Sequence, residues 1–95
     1  LRGTRSHEPD GWPDILKVLG HPLRFEIVRR LVGEEKCVHD LWTALEMHQA
    51  VVSQHLAVLR KGGIVGCRRN GNRIRYYIKS ARVRRLMGVV DSDRS

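Results

Sequence analysis

Aromatic residues are scarce in this 95-residue chain, which has two Trp, two Tyr and one Phe. With so few large rings, Leu, Val and Ile must fill most of any core, and the length allows one modest domain. Cysteine is scarcer still. Cys37 and Cys67 are too few for a disulfide framework and nothing resembles a secretion signal, so a reduced, cytoplasmic setting is expected. No apolar run approaches the roughly 20 residues of a membrane span, so no membrane partner is expected. Acidic side chains are in deficit, with ten Asp and Glu against eighteen Lys and Arg and a formal net charge of +8. That balance favours an acidic partner, and nucleic acid is the commonest one. There is no glycine loop for phosphates and no pair of carboxylates in a credible pocket context. A Cys–His pair exists, but a nucleophile also needs a positioned base and an oxyanion hole. The chain is not expected to be an enzyme.

The charge that is present is unevenly placed. From Gly62 to the C-terminus there are nine basic residues and two acidic ones, whereas Glu34 to Lys61 holds three basic and four acidic. One end of the molecule therefore carries most of the field. The opening "LRGTRSHEPDG" starts at Leu1 rather than Met and is rich in Gly, Pro and charge, so it reads as a loose arm, trimmed or appended. The expected division is an arm over 1–12, a folded domain over 13–91 and a tail over 92–95.

Within the domain, helical periods come first. "PDILKVLG" places Ile15, Leu16 and Leu19 on one side, with Gly20 as a stop. In "HPLRFEIVRRLVG", Pro22 suits a first helical position and Leu23, Ile27 and Leu31 recur every four residues. Val38, Leu41, Trp42 and Leu45 mark a short amphipathic helix, "EMHQ" a polar turn, and Val52, Leu56 and Leu59 the buried side of another helix stopped by Gly62-Gly63. The period then drops to 2. "IVGCRR" and "RIRYYI" flank "NGN", and Asn-Gly is the strongest short hairpin signal. Val83, Leu86, Met87 and Val90 form a last helical stripe among arginines. The expected fold is mainly α with a β-hairpin wing: a winged helix–turn–helix, whose second helix can enter the major groove while the ribbon lies along the flanking backbone.

Three stretches narrow this further. "LKVLGHPLRFEIVRRLVG", "CVHDLWTALEMHQAVVSQHLAVLRKGGIV" and "RRNGNRIRYYI" resemble the ArsR/SmtB family of bacterial metal- and metalloid-responsive repressors, over roughly Ile15 to Ile78. The resemblance implies a homodimer that binds double-stranded operator DNA and releases it when an effector binds. With Val52, Leu56 and Leu59 turned inward, Gln49, Val51, Ser53 and Gln54 are left for the groove, with His55 near the edge. Gln amides and Ser hydroxyls can pair with base edges, and Val51 can meet a thymine methyl. Arg68, Arg69, Asn70, Asn72 and Arg73 cluster at the hairpin tip, where phosphates or the minor groove would meet them. Arg82, Arg84 and Arg85 could simply keep a dimerisation helix soluble. Ile15, Leu16, Leu19, Val83, Leu86, Met87 and Val90 are the expected dimer contacts, since a two-fold DNA site rewards a two-fold protein.

The effector is harder to read. Arsenic-responsive members of the family carry Cys-Val-Cys-Asp-Leu-Cys where this chain has "CVHDLW", so only Cys37 remains, with His39 and Trp42 in the other places. A three-thiolate arsenite site cannot be built there. Cys37 and His39 could chelate together only if Cys37 precedes the regular helix or binding distorts its start. A cysteine at a helix N-terminus is more reactive than a free one. His7, Glu8 or Asp10 of the arm could complete a metal site, as in some cadmium- and lead-type relatives, and Cys-plus-His ligation suits zinc better than arsenite. Cys67 is expected to be a buried strand residue, though a thiol pair with Cys37 is conceivable. The last helix lacks the Asp and His ligands of zinc-responsive relatives. The expectation is release by a thiophilic metal, a metalloid or an oxidant at Cys37, His39 and His7. The alternatives are an effector-independent regulator with a vestigial site, and a winged helix that binds protein.

Overall fold

The computed structural model describes residues 11–93, so the arm residues His7, Glu8 and Asp10 lie outside the described residues. Five helices and three strands follow in the order α1 (Trp12–Leu19), α2 (Pro22–Gly33), β1 (Lys36–Cys37), α3 (Val38–Leu45), α4 (Gln49–Lys61), β2 (Val65–Asn70), β3 (Arg73–Ile78) and α5 (Ala81–Asp93). The winged helix–turn–helix expected from the sequence is present. Helix α1 begins at Trp12 and α5 runs to Asp93, each a residue or two outside the boundaries expected from composition.

Local chemistry sets the helix ends. At the start of α2 the His21 ring accepts a hydrogen bond from the Leu23 amide at 3.1 Å, and Pro22 occupies the first turn, where its missing N–H costs nothing. Ser80 caps α5 through its Oγ, which accepts from the Val83 amide at 3.2 Å. Helix α3 ends on Glu46, a residue in the left-handed region (φ 58°) where glycine is usual. Its amide donates back to Trp42 and Thr43, which makes the tight turn into α4.

The core lies between the helices and the inner end of the hairpin. Ile15 and Leu19 of α1, Ile27, Val28 and Leu31 of α2, Leu41 of α3 and Val52, Leu56 and Leu59 of α4 are all buried. Ile64, Val65, Ile78, Val83 and Met87 close it, and no described polar or charged residue is buried. Each large side chain removed from water here contributes about 1.5–3 kcal/mol. On the surface Arg29 bridges Glu26 (3.2 Å) in its own helix and Asp91 (3.5 Å) in α5. Those two carboxylates, Glu26 first, raise the guanidinium pKa above its usual value.

The sheet holds one element that periodicity did not suggest. It is antiparallel in the order β1-β3-β2, and β1 pairs Lys36 with Tyr76 and Cys37 with Arg75. Two residues are too short to show a period of 2, so only the fold brings them to the edge of the wing. None of the described helices is long and apolar enough to cross a membrane.

Candidate nucleic-acid interface

The turn between α3 and α4 presents one side of α4 to the core and the other to solvent. Val52, Leu56 and Leu59 are buried. Gln49, Ser53 and Gln54 are exposed, and Val51 and His55 are half-buried, as the spacing predicts. These outward groups are amides, a hydroxyl and a small apolar side chain, which can read base edges but carry no charge. At the start of α4 the His48 side chain makes no capping bond, while its carbonyl accepts from the Val51 and Val52 amides at 3.1 and 3.2 Å.

His55 marks the edge of this face. Its ring sits 4.5 Å from the ring of His21, centroid to centroid, at the start of α2. Burial, then His21, then Arg24 hold the His55 pKa below its ordinary value of 6.5. Arg24 itself is fixed by a 2.7 Å hydrogen bond from its Nε to the Val18 carbonyl at the end of α1.

The wing has the opposite chemistry. Strands β2 and β3 pair from Val65↔Ile78 out to Asn70↔Arg73, leaving Gly71 and Asn72 as a two-residue loop. Gly71 has φ 68° and Asn72 has no positive φ, which fits the hairpin turn with glycine in its first central position. The Asn-Gly pair of the sequence is thus offset by one residue from the turn's centre. Arg68, Arg69, Asn70, Asn72 and Arg73 are all exposed, and Arg68 lies opposite the half-buried Arg75.

Arg68 differs from the other arginines of the tip. Its guanidinium lies 4.6 Å from the centre of the Tyr77 ring and 3.4 Å from the Glu35 carboxylate. Tyr77 in turn packs against Gly66, where an added Cβ would stand 2.6 Å from the phenol oxygen, so a larger residue there would displace the ring. Arg68 therefore ties the wing to the segment before α3. The alternation that marks Arg73 also marks Arg75, but nothing in the sequence signals that Glu35 and Tyr77 hold Arg68.

Cys37 precedes α3 as its N-cap and makes no capping bond with its side chain. Cys37 is 6% exposed, which shields it from most reagents. His39 is exposed, its ring edge-on to Trp42 at 5.2 Å and its Nδ1 3.8 Å from the Asp40 carboxylate. Cys37, Val38 and His39 line an open groove of about 510 Å³ together with Asn72, Arg73, Ile74 and Tyr76 of the wing. Among the described residues no three His, Cys, Asp or Glu side chains converge as metal ligands, and His7 lies outside them. The donor set of Cys37 and His39 alone falls short of the three or four ligands that zinc takes. Cys67, half-buried in β2 opposite Tyr76, is a free thiol like Cys37.

The seven residues expected at a dimer contact divide in two. Ile15, Leu19, Val83 and Met87 are buried in the chain's own core. Leu16 is 54% exposed, and Leu86 and Val90 are half-covered; Trp12 (40%) and Val89 (66%), not among the seven, are exposed as well. Arg82 stacks over Trp12 at 5.8 Å, bringing the ends of α1 and α5 together. A core stripe and an interface stripe share the helical period, so the sequence could not separate them.

Comparison with known proteins gives consistent results. The family described as bacterial regulatory protein, arsR family, matches residues 21–66. The chain is 39% identical over 67 residues to the HTH-type transcriptional repressor SmtB of Mycobacterium tuberculosis, covering 70% of this chain and 50% of that protein. It therefore spans half the length of that relative. The crystal structure of the transcriptional regulator HlyU from Vibrio vulnificus superposes with a TM-score of 0.82 at 31% identity, over 85% of this chain and 84% of that one. The homodimeric winged helix-turn-helix DNA-binding domain of Mb0332 from Mycobacterium bovis, a possible ArsR-family regulator, gives 0.73 at 34% identity, over 80% and 70%.

Proposed function

The chain belongs to the arsR family of bacterial regulatory proteins, and from that premise we propose that it is a repressor that binds an inverted-repeat operator as a homodimer. The observation that carries this reading is the pairing of an uncharged, hydrogen-bonding outer face on α4 with a strongly cationic wing. Helix α4 enters the major groove through Gln49, Val51, Ser53 and Gln54, with His55 at its rim. The wing meets phosphates through Arg69, Asn70, Asn72 and Arg73, and through Arg68 once it leaves Glu35. Two copies place their α4 helices about one DNA turn (~34 Å), or a multiple of it, apart.

The two-fold forms through Trp12 and Leu16 of α1 and Leu86, Val89 and Val90 of α5, the apolar groups that the protomer's own core leaves uncovered. The effector acts at Cys37 with His39 and, from the arm, His7. It is a thiophilic ion or an oxidant, and it loosens DNA. A regulator without an effector, built on the same fold, is the second reading, and the two-donor set at Cys37 and His39 favours it.

The deciding measurement is DNA affinity against salt. Phosphate contacts give a slope of about −0.9 per contact in log affinity against log salt, so several wing and helix contacts give a steep line. A flat line would exclude the DNA reading and leave protein recognition. For the effector, Cys37→Ser should keep DNA affinity and abolish any response to zinc, cadmium, arsenite or peroxide. If the unsubstituted protein responds to none of them, the second reading stands.

A further inference from the structure

The groove between the start of α3 and the wing tip combines three features that are unrelated in the sequence. It is open and holds about 510 Å³, within the range of small-molecule sites. Val38, Ile74 and Tyr76 give it apolar walls, and Ile74 is 39% exposed although it is a large aliphatic residue on a strand. Arg73 is among its lining residues, and no carboxylate is. Unlike Arg68, which has Glu35, Arg73 has no ion-pair partner among the described residues. A largely apolar trough whose lining includes one arginine without an ion-pair partner is complementary to a molecule with an apolar body and one anionic end. Inorganic phosphate would leave the apolar walls uncovered.

We propose that this groove binds a compact organic monocarboxylate. Its hydrocarbon part lies against Val38, Ile74 and the Tyr76 ring, and its carboxylate accepts two hydrogen bonds from Arg73, the geometry for which a guanidinium is preorganised. The proposal rests on the reading of the chain as a DNA-binding regulator, and it adds an organic ligand class beside the thiophilic ion or oxidant assigned to Cys37 and His39. Occupancy takes Arg73 from the phosphate backbone. It also braces the wing against the start of α3, where Cys37 is already paired with Arg75.

The test is a titration of the ¹⁵N-labelled full chain with benzoate, phenylacetate and hexanoate. Benzamide and inorganic phosphate at matched ionic strength serve as controls. Saturable shifts are expected at the amides of Val38, Ile74 and Tyr76, with a dissociation constant of about 1 mM or tighter for ligands of this size. Benzamide, and each acid with Arg73→Gln, should bind at least about tenfold more weakly, because each removes one half of the charge-assisted pair. Ile74→Asp should abolish binding by placing a like charge in the trough, and the spectrum of each variant reports whether it is folded. The site is overturned if none of the acids gives saturating shifts, if benzamide binds as well as benzoate, if phosphate reproduces the same shifts, or if Arg73→Gln binds unchanged. An acid that fills the groove without weakening DNA binding overturns the regulatory half of the proposal. DNA affinity of the ligand-free chain is measured separately, so a failure of the repressor reading and a failure of the ligand site are told apart.

Discussion

Helix α4 and the wing both offer exposed polar groups, yet they solve different problems. The outward face of α4 carries Gln49, Ser53 and Gln54 and stands on a fully buried row of Val52, Leu56 and Leu59. Such a face is rigid, uncharged and directional, and so suited to discrimination. The wing carries arginines on two strands joined by a two-residue loop, with its buried residues only at the inner end. It is long-reaching and cationic, and so suited to attraction. Specificity needs a fixed donor or acceptor, whereas attraction to phosphate needs only a charge nearby.

The most severe way to break this contrast is to remove the proposed two-fold, on which both regions would depend. Leu86→Glu should yield monomers in sedimentation and lower operator affinity by ~10²–10⁴-fold, the gain that linked binding supplies. An unsubstituted protein that sediments as a monomer at tens of micromolar would refute the dimer.

A paired substitution sharpens the contrast next. Gln54→Ala should cost roughly 1–3 kcal/mol of discrimination between operator and altered sequence. Arg73→Ala should instead weaken binding to all sequences alike and reduce the salt slope by about 1. If the wing variant changed sequence preference and the helix variant did not, the two roles would have to be exchanged.

The pH dependence of the α4 edge is a smaller effect. Because the His55 pKa is depressed when folded, the unfolded chain takes up its proton first. The contribution of neutral His55 is therefore present above the unfolded value of about 6.5 and is lost as pH falls through the lower folded value. Melting temperature should drop between pH 7 and 5, and His55→Gln should flatten that drop. An unchanged profile in the variant would show that His55 does not carry it. The smallest expected change is a gain. Glu46→Gly relieves the left-handed residue that ends α3 and should stabilise the fold by about 0.5–1 kcal/mol in denaturant, leaving sequence preference untouched.

Much of this layout was legible in the sequence, for identifiable reasons. Helices announce themselves by period, so the buried row of α4 and its exposed complement followed from spacing alone. The hairpin followed from Asn-Gly, although the turn centres on Gly71-Asn72. Contacts made only by folding were not legible. His21 meets His55 across 34 residues of chain, and Glu35 finds Arg68 because β1 brings the segment before α3 to the wing. Cys37 could be placed ahead of the helix but not buried, since its burial depends on that same two-residue strand.

The strand order has a consequence for handling the protein. With β3 in the middle, β2 is an edge whose outer backbone groups have no partner strand among the described residues. A free edge invites another chain to add itself, and charged side chains are a common means of preventing this. Arg68 and Arg69 lie on that edge, so the residues proposed to draw the wing to DNA are also placed to keep two wings from stacking on each other. Neutralising both should shorten the time a concentrated sample stays clear. A turbid preparation of such a variant would reflect strand-to-strand aggregation before any loss of affinity.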